Sequence, residues 1–577
     1  MYSSKENINI LTALLVKHGI KHAVVCPGSR NAPIVHNLDA CPAIDCVAVT
    51  DERSAGFYAL GIAQALDEPV AVCVTSGSAV LNVAPAVAEA HYQHQSLVVI
   101  SADRPAAWID QIDGQTLRQP GALEPWVACS VSLPEPETST GAAYAEARWH
   151  CNRLVNEALL EATADHRPCV HINVPLSEPL FDFEVAQLPD ERAIMRFAPA
   201  TDYDCLRTDF VDEFLQAERP MIVVGQTSPH RFSPTCAGQL FSHVIVLHEA
   251  LSPFCGISHF DEVLATAGEQ LPAAPDVVLY VGDGIVSKRL KAYLRQSADT
   301  RVWRISPTGR VEDTFQHLRG IVVGDAEQVL YALEHKMGRR RQHGMAYRRQ
   351  WLRLLGVVRD RALHYVPAFS QMAVVQAFEQ TVDRQGIDGV AVHYANSSPI
   401  RLANIYAHHH VWCNRGVNGI EGSLSTACGF AVASKQLALR RVYCVIGDLS
   451  FFYDQNALWH EGLPATLRIL LLNNGCGGIF NMVKGLGGTP ACSSLVKGAH
   501  SATAQTVCQQ HGIGYRQVSA AADLHDALAW LTATESSQPL LLEVLTDADA
   551  DAAVFRDYYT HSRIFIKNND FSGSSQE

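Results

Sequence analysis

The sequence predicts an α/β protein of three consecutive doubly wound parallel-sheet domains. Three observations carry that expectation. Strand-length apolar runs ending in Gly, Ser, Asp or Asn alternate with helix-length segments along nearly the whole chain. The runs are apolar on both faces, as strands buried between two helix layers must be. At 577 residues and 48% hydrophobic, the chain has length for about three or four cores and is too apolar to be disordered.

The elements follow in order. Ser3 and Glu6 have the spacing of a capping box, and Ile10, Leu11, Leu14 and Leu15 follow at helical spacing, so a helix rather than a signal peptide is expected there. The first strands are read at HAVVCPGSR, IDCVAVTDER, PVAVCVTSGS, LVVISADRP and CVHINVP, in a domain at 1–182. Residues 176–201, with three prolines among acidic and polar residues, read as a surface linker. A second group, PMIVVGQTS, HVIVLHEA, DVVLYVGDG, TRVWRISP and GIVVGD, occupies 183–350, and its basic stretch at 336–343 reads as a solvated helix end or linker. The third group, GVAVHYANSS, HHVWCNRG, RRVYCVIGDLS, LRILLLNNG and PLLLEVL, occupies 351–577 and ends in a polar tail, 567–577, read as frayed.

A net charge of −14 argues against a nucleic-acid or anionic-membrane binder. No stretch approaches the ~18 apolar residues of a membrane span. The 16 cysteines are scattered and contain no C-x-x-C pair, so they read as buried free thiols rather than a disulfide or zinc framework. A cytoplasmic protein is expected.

In open parallel sheets, ligands bind beyond the carboxyl ends of the strands. Two adjacent strands of the third group end in Gly447-Asp448 and Asn473-Asn474, with Asp448 and Asn474 separated by 26 residues. A carboxylate and an amide there can share one hard cation, and Mg²⁺ prefers such oxygen ligands together with phosphate oxygens. Gly475, Gly477 and Gly478 allow close backbone approach. Gly282-Asp283-Gly284 also ends a strand, but no Asn pair follows it.

The Gly-Asp and Asn-Asn pattern resembles the diphosphate- and magnesium-binding motif of thiamine-diphosphate enzymes. Those enzymes take one further carboxylate from a different domain to hold the cofactor's aminopyrimidine ring, and Glu52 in TDERSAG matches it. CPGSRNAPIV, ISADRPAAWID, GQTLRQPGA, ANSSPIRLAN, NRGVNGIEGSLSTACG, VIGDLSFFYDQNAL and NNGCGGIF narrow the likeness. Together they resemble the 2-succinyl-5-enolpyruvyl-6-hydroxy-3-cyclohexene-1-carboxylate synthase family of menaquinone biosynthesis, over most of the first and third domains and thinly in the middle.

The resemblance implies a thiamine-diphosphate-binding fold, with Mg²⁺, or Mn²⁺ in its place, as the metal. It implies a transferase: decarboxylation of 2-oxoglutarate and addition of the resulting carbanion to isochorismate. Asp448, Asn474 and the backbone carbonyl of Cys476 would take the metal, and Gly416, Gly447, Leu449, Ser450 and Gly477 would line the cofactor. Ile420 would prop the cofactor in its bent shape, with Ile479 and Phe480 as the apolar wall. Arg401 and Arg415 would lie around the succinyl end, with Asn396 and Ser397 near the reacting carbons. Ser29, Arg30, Arg104, Gln115, Lys288 and Arg289 would receive isochorismate; a surface pair opening a helix is the other reading of Lys288-Arg289. The cofactor would lie across a subunit interface, in a homodimer at least and a homotetramer by family habit.

Two departures stand out. Gly478 replaces a side chain that is often polar in the family, and 481–497, with Gly485, Gly487 and Gly488, differs from the family segment and reads as a mobile flap. Two alternatives remain open: another thiamine-diphosphate decarboxylase or carboligase, such as an acetolactate synthase, and a catalytically silent subunit of the same fold. A nicotinamide oxidoreductase would need a Gly-x-Gly-x-x-Gly turn after a strand, and none is found in that context.

Overall fold

The structure, a computed structural model, describes residues 1–136, 140–197, 208–337, 344–482, 485–487 and 489–568. Three wholly parallel sheets follow one another along the chain. The first contains β1 (His22–Val25), β2 (Asp45–Ala48), β3 (Val70–Val74), β4 (Leu97–Asp103), β5 (Val127–Ser132) and β6 (Cys169–Pro175), in the order β2-β1-β3-β4-β6-β5. The second contains β7 (Pro220–Val224), β8 (Ile245–His248), β9 (Val277–Val281), β10 (Arg301–Ser306) and β11 (Leu318–Val323), ordered β11-β10-β9-β7-β8. The third contains β12 (Val390–Tyr394), β13 (Arg441–Gly447), β14 (Leu467–Asn473), β15 (Gly514–Val518) and β16 (Leu540–Leu545), ordered β12-β13-β14-β16-β15. Helices cover both faces, which is why central strands such as β3, β9 and β14 are buried along their full length.

The first and third sheets share one continuous core through helices Glu52–Leu66 and Ser423–Val432. Glycines let these helices meet backbone to backbone. A Cβ on Gly61 would lie 2.0 Å from Thr426 O, and one on Gly429 would lie 2.1 Å from Tyr58 O. Helix Met345–His364 crosses the expected boundary at 350, and its Tyr347, Trp351, Leu354 and Val358 complete the second sheet's core.

Several expectations need correction. Glu6 opens the first helix, but Lys5 precedes it as the cap. Ser3 Oγ accepts from Lys5 N instead, and Glu6 pairs with Arg148 (2.8 Å), so no capping box forms. HHVWCNRG is not a strand. It touches β12 by a single bridge, Trp412 to His393; Trp412 packs against the Phe430 and His393 rings, while Val411 and Cys413 join the third sheet's core. Edge strands β5 (VACSVS) and β15 (GYRQV) were not read from the sequence, because polar residues interrupt their apolar pattern. The proline-rich stretch after β6 is fastened along the first sheet unit: Leu176 and Leu180 are buried, and Tyr2 bridges to Val185.

The last helix, Ala548–Asn568, runs two residues into the expected frayed tail. Residues 198–201 of the linker, 338–343 of the basic stretch, 483–484 and 488 of the altered segment, and 569–577 of the tail lie outside the described residues. Every described cysteine is a free thiol, and most are buried. Among the described residues, no helix is long and apolar enough to cross a membrane.

Candidate active site

β13 and β14 are parallel neighbours with Gly447 opposite Leu472, so their ends bring Asp448 beside Asn474. Asp448 is 3% exposed. Its Oδ1 accepts from Leu449 N (2.7 Å), and its Oδ2 accepts from Cys476 N (3.1 Å) and Asn474 N (3.2 Å). Burial raises its pKa, against the pull of these N–H groups and of His500. Asn474 Nδ2 donates to Asp551 Oδ2 (2.9 Å), which fixes the amide and turns its Oδ1 back to Cys476 N (3.4 Å). Gly475 has φ 74°, and a Cβ there would lie 2.9 Å from His500 O. Cys476 O accepts from Gly478 N (2.8 Å), and burial pushes the Cys476 thiol up.

These donors fit a hard divalent cation. Asp448 is a buried carboxylate with no Lys or Arg ion pair among the described residues; its nearest cation-capable neighbour is His500, with Nε2 at 3.5 Å. The set is one carboxylate, one amide oxygen and one backbone carbonyl, all oxygen, as Mg²⁺ prefers. No cluster of three His, Cys, Asp or Glu able to hold a metal occurs among the described residues, so this mixed oxygen set is the metal candidate. A Cβ on Gly447 would meet open space, so the strand end is accessible to a ligand. Leu449 and Ser450 start the helix Asp448–Tyr453. Gly477 is capped by the Phe480 ring and donates to Lys497 O (2.7 Å), while Ile479 and Phe480 sit on a short 3₁₀ turn.

A second loop, around Asn414–Gly422, is clasped from two sides. Asn396 Nδ2 donates to Asn414 O (2.6 Å) and Gly419 O (2.8 Å), and its Oδ1 accepts from Arg415 Nη1 (3.1 Å). Asn396 thus shapes this loop with nearly all its polar capacity. From the first sheet unit, buried Glu89 accepts from Gly416 N (2.7 Å) and Val417 N (2.6 Å). A Cβ on Gly416 would lie 2.8 Å from Glu89 O, so only glycine fits. Ser397 has φ 77°, a strained value for a non-glycine residue, and precedes helix Ser398–Tyr406, which carries Arg401. Ile420 is 41% exposed on the loop.

Arg401 opens onto a cavity of about 390 Å³ that Lys288 and Arg289 line from the second sheet unit and Ile479 from the third. An adjoining cavity shares Arg401 and Phe555 and reaches Asn474 and Gly478. The structure therefore gathers these cations beside the Asp448–Asn474 strand ends. Arg289 pairs with Asp261 (2.5 Å) and stacks over Tyr559 (4.6 Å). Burial, reinforced by the charge of Arg415, holds Arg401 below its ordinary pKa. Glu249 also faces the cavity; its oxygens accept from Val286 N and Ser287 N (both 2.7 Å), and burial raises it to about 7.

The first sheet's candidates lie elsewhere in the chain. Arg30 donates to Leu176 O (3.0 Å) and pairs with Glu178 (3.1 Å), while Arg104 pairs with Asp113 (3.2 Å). Ser29 and Gln115 are exposed, and Gln115 has φ 55°. Glu52 accepts from Asn82 Nδ2 (3.1 Å) at the start of its helix. None of these residues lines the cation cavity.

Sequence reasoning missed Glu89, Glu249, Asp261, His500 and Asp551. Glu249 follows β8, and the strand-end rule that selected Glu52 would have found it. The others act on backbone groups or side chains distant in sequence and leave no local pattern.

Comparison with known proteins agrees with this geometry. Residues 8–122 match the model described as thiamine pyrophosphate enzyme, N-terminal TPP binding domain, and 397–544 match its C-terminal TPP binding domain counterpart. A Bacteroides fragilis protein named 2-succinyl-5-enolpyruvyl-6-hydroxy-3-cyclohexene-1-carboxylate synthase is 43% identical over 97% of this chain and 99% of its own length. Proteins of the same name from Bacteroides thetaiotaomicron (97% of this chain, 99% of that one) and Porphyromonas gingivalis (97% and 98%) are 41% and 34% identical.

Proposed function

The chain belongs to the 2-succinyl-5-enolpyruvyl-6-hydroxy-3-cyclohexene-1-carboxylate synthase family, and from that premise we propose that it decarboxylates 2-oxoglutarate and joins the remaining four-carbon unit to isochorismate. The observation that carries the reading is the convergence of Lys288, Arg289 and Arg401 on one cavity beside Asp448 and Asn474, in a chain of net charge −14. Both substrates are dianions, and arginine forks bind carboxylates bidentately.

When bound, thiamine diphosphate supplies the electron sink that decarboxylation of a 2-oxo acid requires. Asp448, Asn474 and Cys476 O would hold Mg²⁺ or Mn²⁺. Gly447, Leu449, Ser450 and Gly477 would approach the diphosphate with backbone, and Ile420, together with Gly416, which Glu89 holds, would support the rings. Arg401 and Arg415 would orient the 2-oxoglutarate carboxylates, with Ser397 beside them, and Ile479 and Phe480 would exclude water. Lys288, Arg289, Ser29, Arg30, Arg104 and Gln115 would receive isochorismate.

Within one chain, Glu52 and the other first-sheet candidates stand outside the cation cavity, which supports a site shared by two copies in a cytoplasmic homodimer or homotetramer. In that arrangement, the first unit (1–182) of one copy serves the third unit (351–577) of the other, and the middle unit (183–350) adds Lys288 and Arg289. The test is an assay with thiamine diphosphate, Mg²⁺ and 2-oxoglutarate, with and without isochorismate. Matched CO₂ release and isochorismate loss are expected. CO₂ release with isochorismate untouched would overturn the acceptor, and no turnover of either would overturn the donor.

A further inference from the structure

The third sheet carries a second cluster of arginines at the opposite end of the strands that bear Asp448 and Asn474. A cleft of about 570 Å³ opens there, with Arg440, Thr466, Arg468, Glu535 and Ser536 among its walls. Arg468, the second residue of β14, is 1% exposed. Only its Nη1 is engaged, by the carbonyls of Ala465 and Leu467, and its Nε is buried without a partner among the described residues. Arg441, the first residue of β13, is 3% exposed behind it; it donates to Gln385 and to Thr532 O, and its Nε is likewise unpartnered. Arg440 stands exposed at the mouth, with Nη2 on Asp388 O (2.6 Å).

What sets the cluster apart is the missing counter-charge. Other buried arginines of this chain have acids of their own: Arg304 has Glu312 (2.9 Å) and Asp283 (3.4 Å), and Arg30 has Glu178 (3.1 Å). Among the described residues, no carboxylate lies within 4.0 Å of Arg440, Arg441 or Arg468, and exposed Glu535 in the cleft wall pairs with none of them. Burying guanidinium charge without a partner is unfavourable unless an anion is supplied from outside. Burial and the neighbouring Arg441 charge hold Arg468 below its ordinary pKa, against Tyr443, as expected of a cation lacking its anion.

We propose that this cleft binds a phosphate-type oxyanion, gripped by Arg468 from within and Arg440 at the mouth. A planar guanidinium fork suits such an anion, and the cleft leaves room for an organic group attached to it. The site is separate from the diphosphate loop: the seven residues of β13 put about 20 Å between the two sheet ends.

The test uses the full chain saturated with thiamine diphosphate and Mg²⁺, so that the diphosphate loop is already filled. Inorganic phosphate is titrated against chloride at constant ionic strength, with the thermal midpoint and ³¹P line width as readouts. Saturable binding is expected. Arg440→Gln should weaken it by about 5–10-fold, whereas Glu535→Gln, which removes a repelling charge, should tighten it by about 2–3-fold. Both positions are exposed, so the result does not hang on whether an Arg468 variant folds. Glycerol phosphate binding more tightly than inorganic phosphate would identify a phosphorylated metabolite as the ligand, and the reverse order would identify free phosphate. No saturable response, or a response that neither variant alters, would overturn the proposal.

Discussion

Three strands of this protein, β9, β11 and β13, run into Gly-Asp, and the aspartates after β9 and β13 live in opposite surroundings. Asp283, after β9, is ringed by cations from two sheet units: His94 Nε2 at 3.4 Å, Arg304 at 3.4 Å, and Arg231 close by. Burial pushes Asp283 up, but these cations together bring it below the ordinary carboxylate value. Asp448, after β13, is surrounded by backbone N–H groups with only His500 near, and burial keeps its pKa raised. The same dipeptide at the same place in a sheet thus serves two ends. Where the chain supplies the counter-charge, the aspartate is finished structure; where it does not, the aspartate is left for a cation from solution.

Substitution should separate the two most sharply. Asp448→Asn removes the charge that would face the metal and is expected to lower activity by at least about 100-fold, while the metal-free protein keeps its stability or gains slightly. Asp283→Asn should do the reverse. It should leave turnover within a few-fold and cost about 1–3 kcal/mol of stability, because Arg304 and His94 lose a shared partner. Denaturant unfolding of both variants, with and without Mg²⁺ and thiamine diphosphate, gives the four values needed. A metal-dependent stabilisation that survives Asp448→Asn, or disappears in Asp283→Asn, would break the comparison.

The pH dependence of the finished pair is a smaller effect with a definite sign. Burial pulls His94 down, but the charge and hydrogen bond of Asp283 raise it above its ordinary value. A histidine raised on folding adds stability that is complete below its unfolded value of about 6.5 and fades as pH climbs through the folded value. The lowered Asp283 adds stability that is complete above about 3.9 and is lost as pH falls through its folded value. The pair therefore contributes most between about pH 4 and 6.5. His94→Gln should cost about 1 kcal/mol more at pH 5.5 than at pH 9 in urea unfolding. Equal costs would show that the two groups do not share a proton-linked charge pair.

How legible these regions were follows from where their partners sit. The strand ends at Asp448 and Asn474 were readable, because doubly apolar strands announce their own termini and the two ends lie one crossover apart. Asp283 was separable from Asp448 only by the missing Asn pair; of its actual partners, His94 lies far away in sequence, and Arg304, one crossover on in β10, sits inside an apolar strand run that does not mark it as a partner. Glu89 shows the same blindness in the site itself. It lies within helix Ala84–Tyr92 with no local pattern to mark it, yet both its oxygens accept N–H groups from a loop more than 320 residues away. Sequence periodicity reports burial of a face, not which distant backbone the face will meet. The same limit made HHVWCNRG resemble a strand, since an aromatic cluster and a buried ladder both ask for apolar residues.

The smallest expected effect probes the one cation-capable neighbour that Asp448 does have. His500 Nδ1 accepts from Ala502 N (3.1 Å), so a neutral ring carries its proton on Nε2, which faces Asp448 Oδ2 at 3.5 Å. At that distance it is a weak hydrogen bond at best, and His500 acts on the carboxylate mainly through space. The ring is held in place by its own backbone, since His500 N donates to Gly475 O (2.8 Å), and by Phe452 edge-on at 5.3 Å. As a donor, Nε2 cannot ligate a metal; its effect on Asp448 is an electrostatic pull that opposes burial. His500→Gln should therefore weaken Mg²⁺ binding by about 2–3-fold, measured by titrating Mg²⁺ against the thermal midpoint at fixed thiamine diphosphate. A loss as large as that of Asp448→Asn would instead make His500 a direct ligand, and Asp448 would then resemble Asp283 more closely than its surroundings indicate.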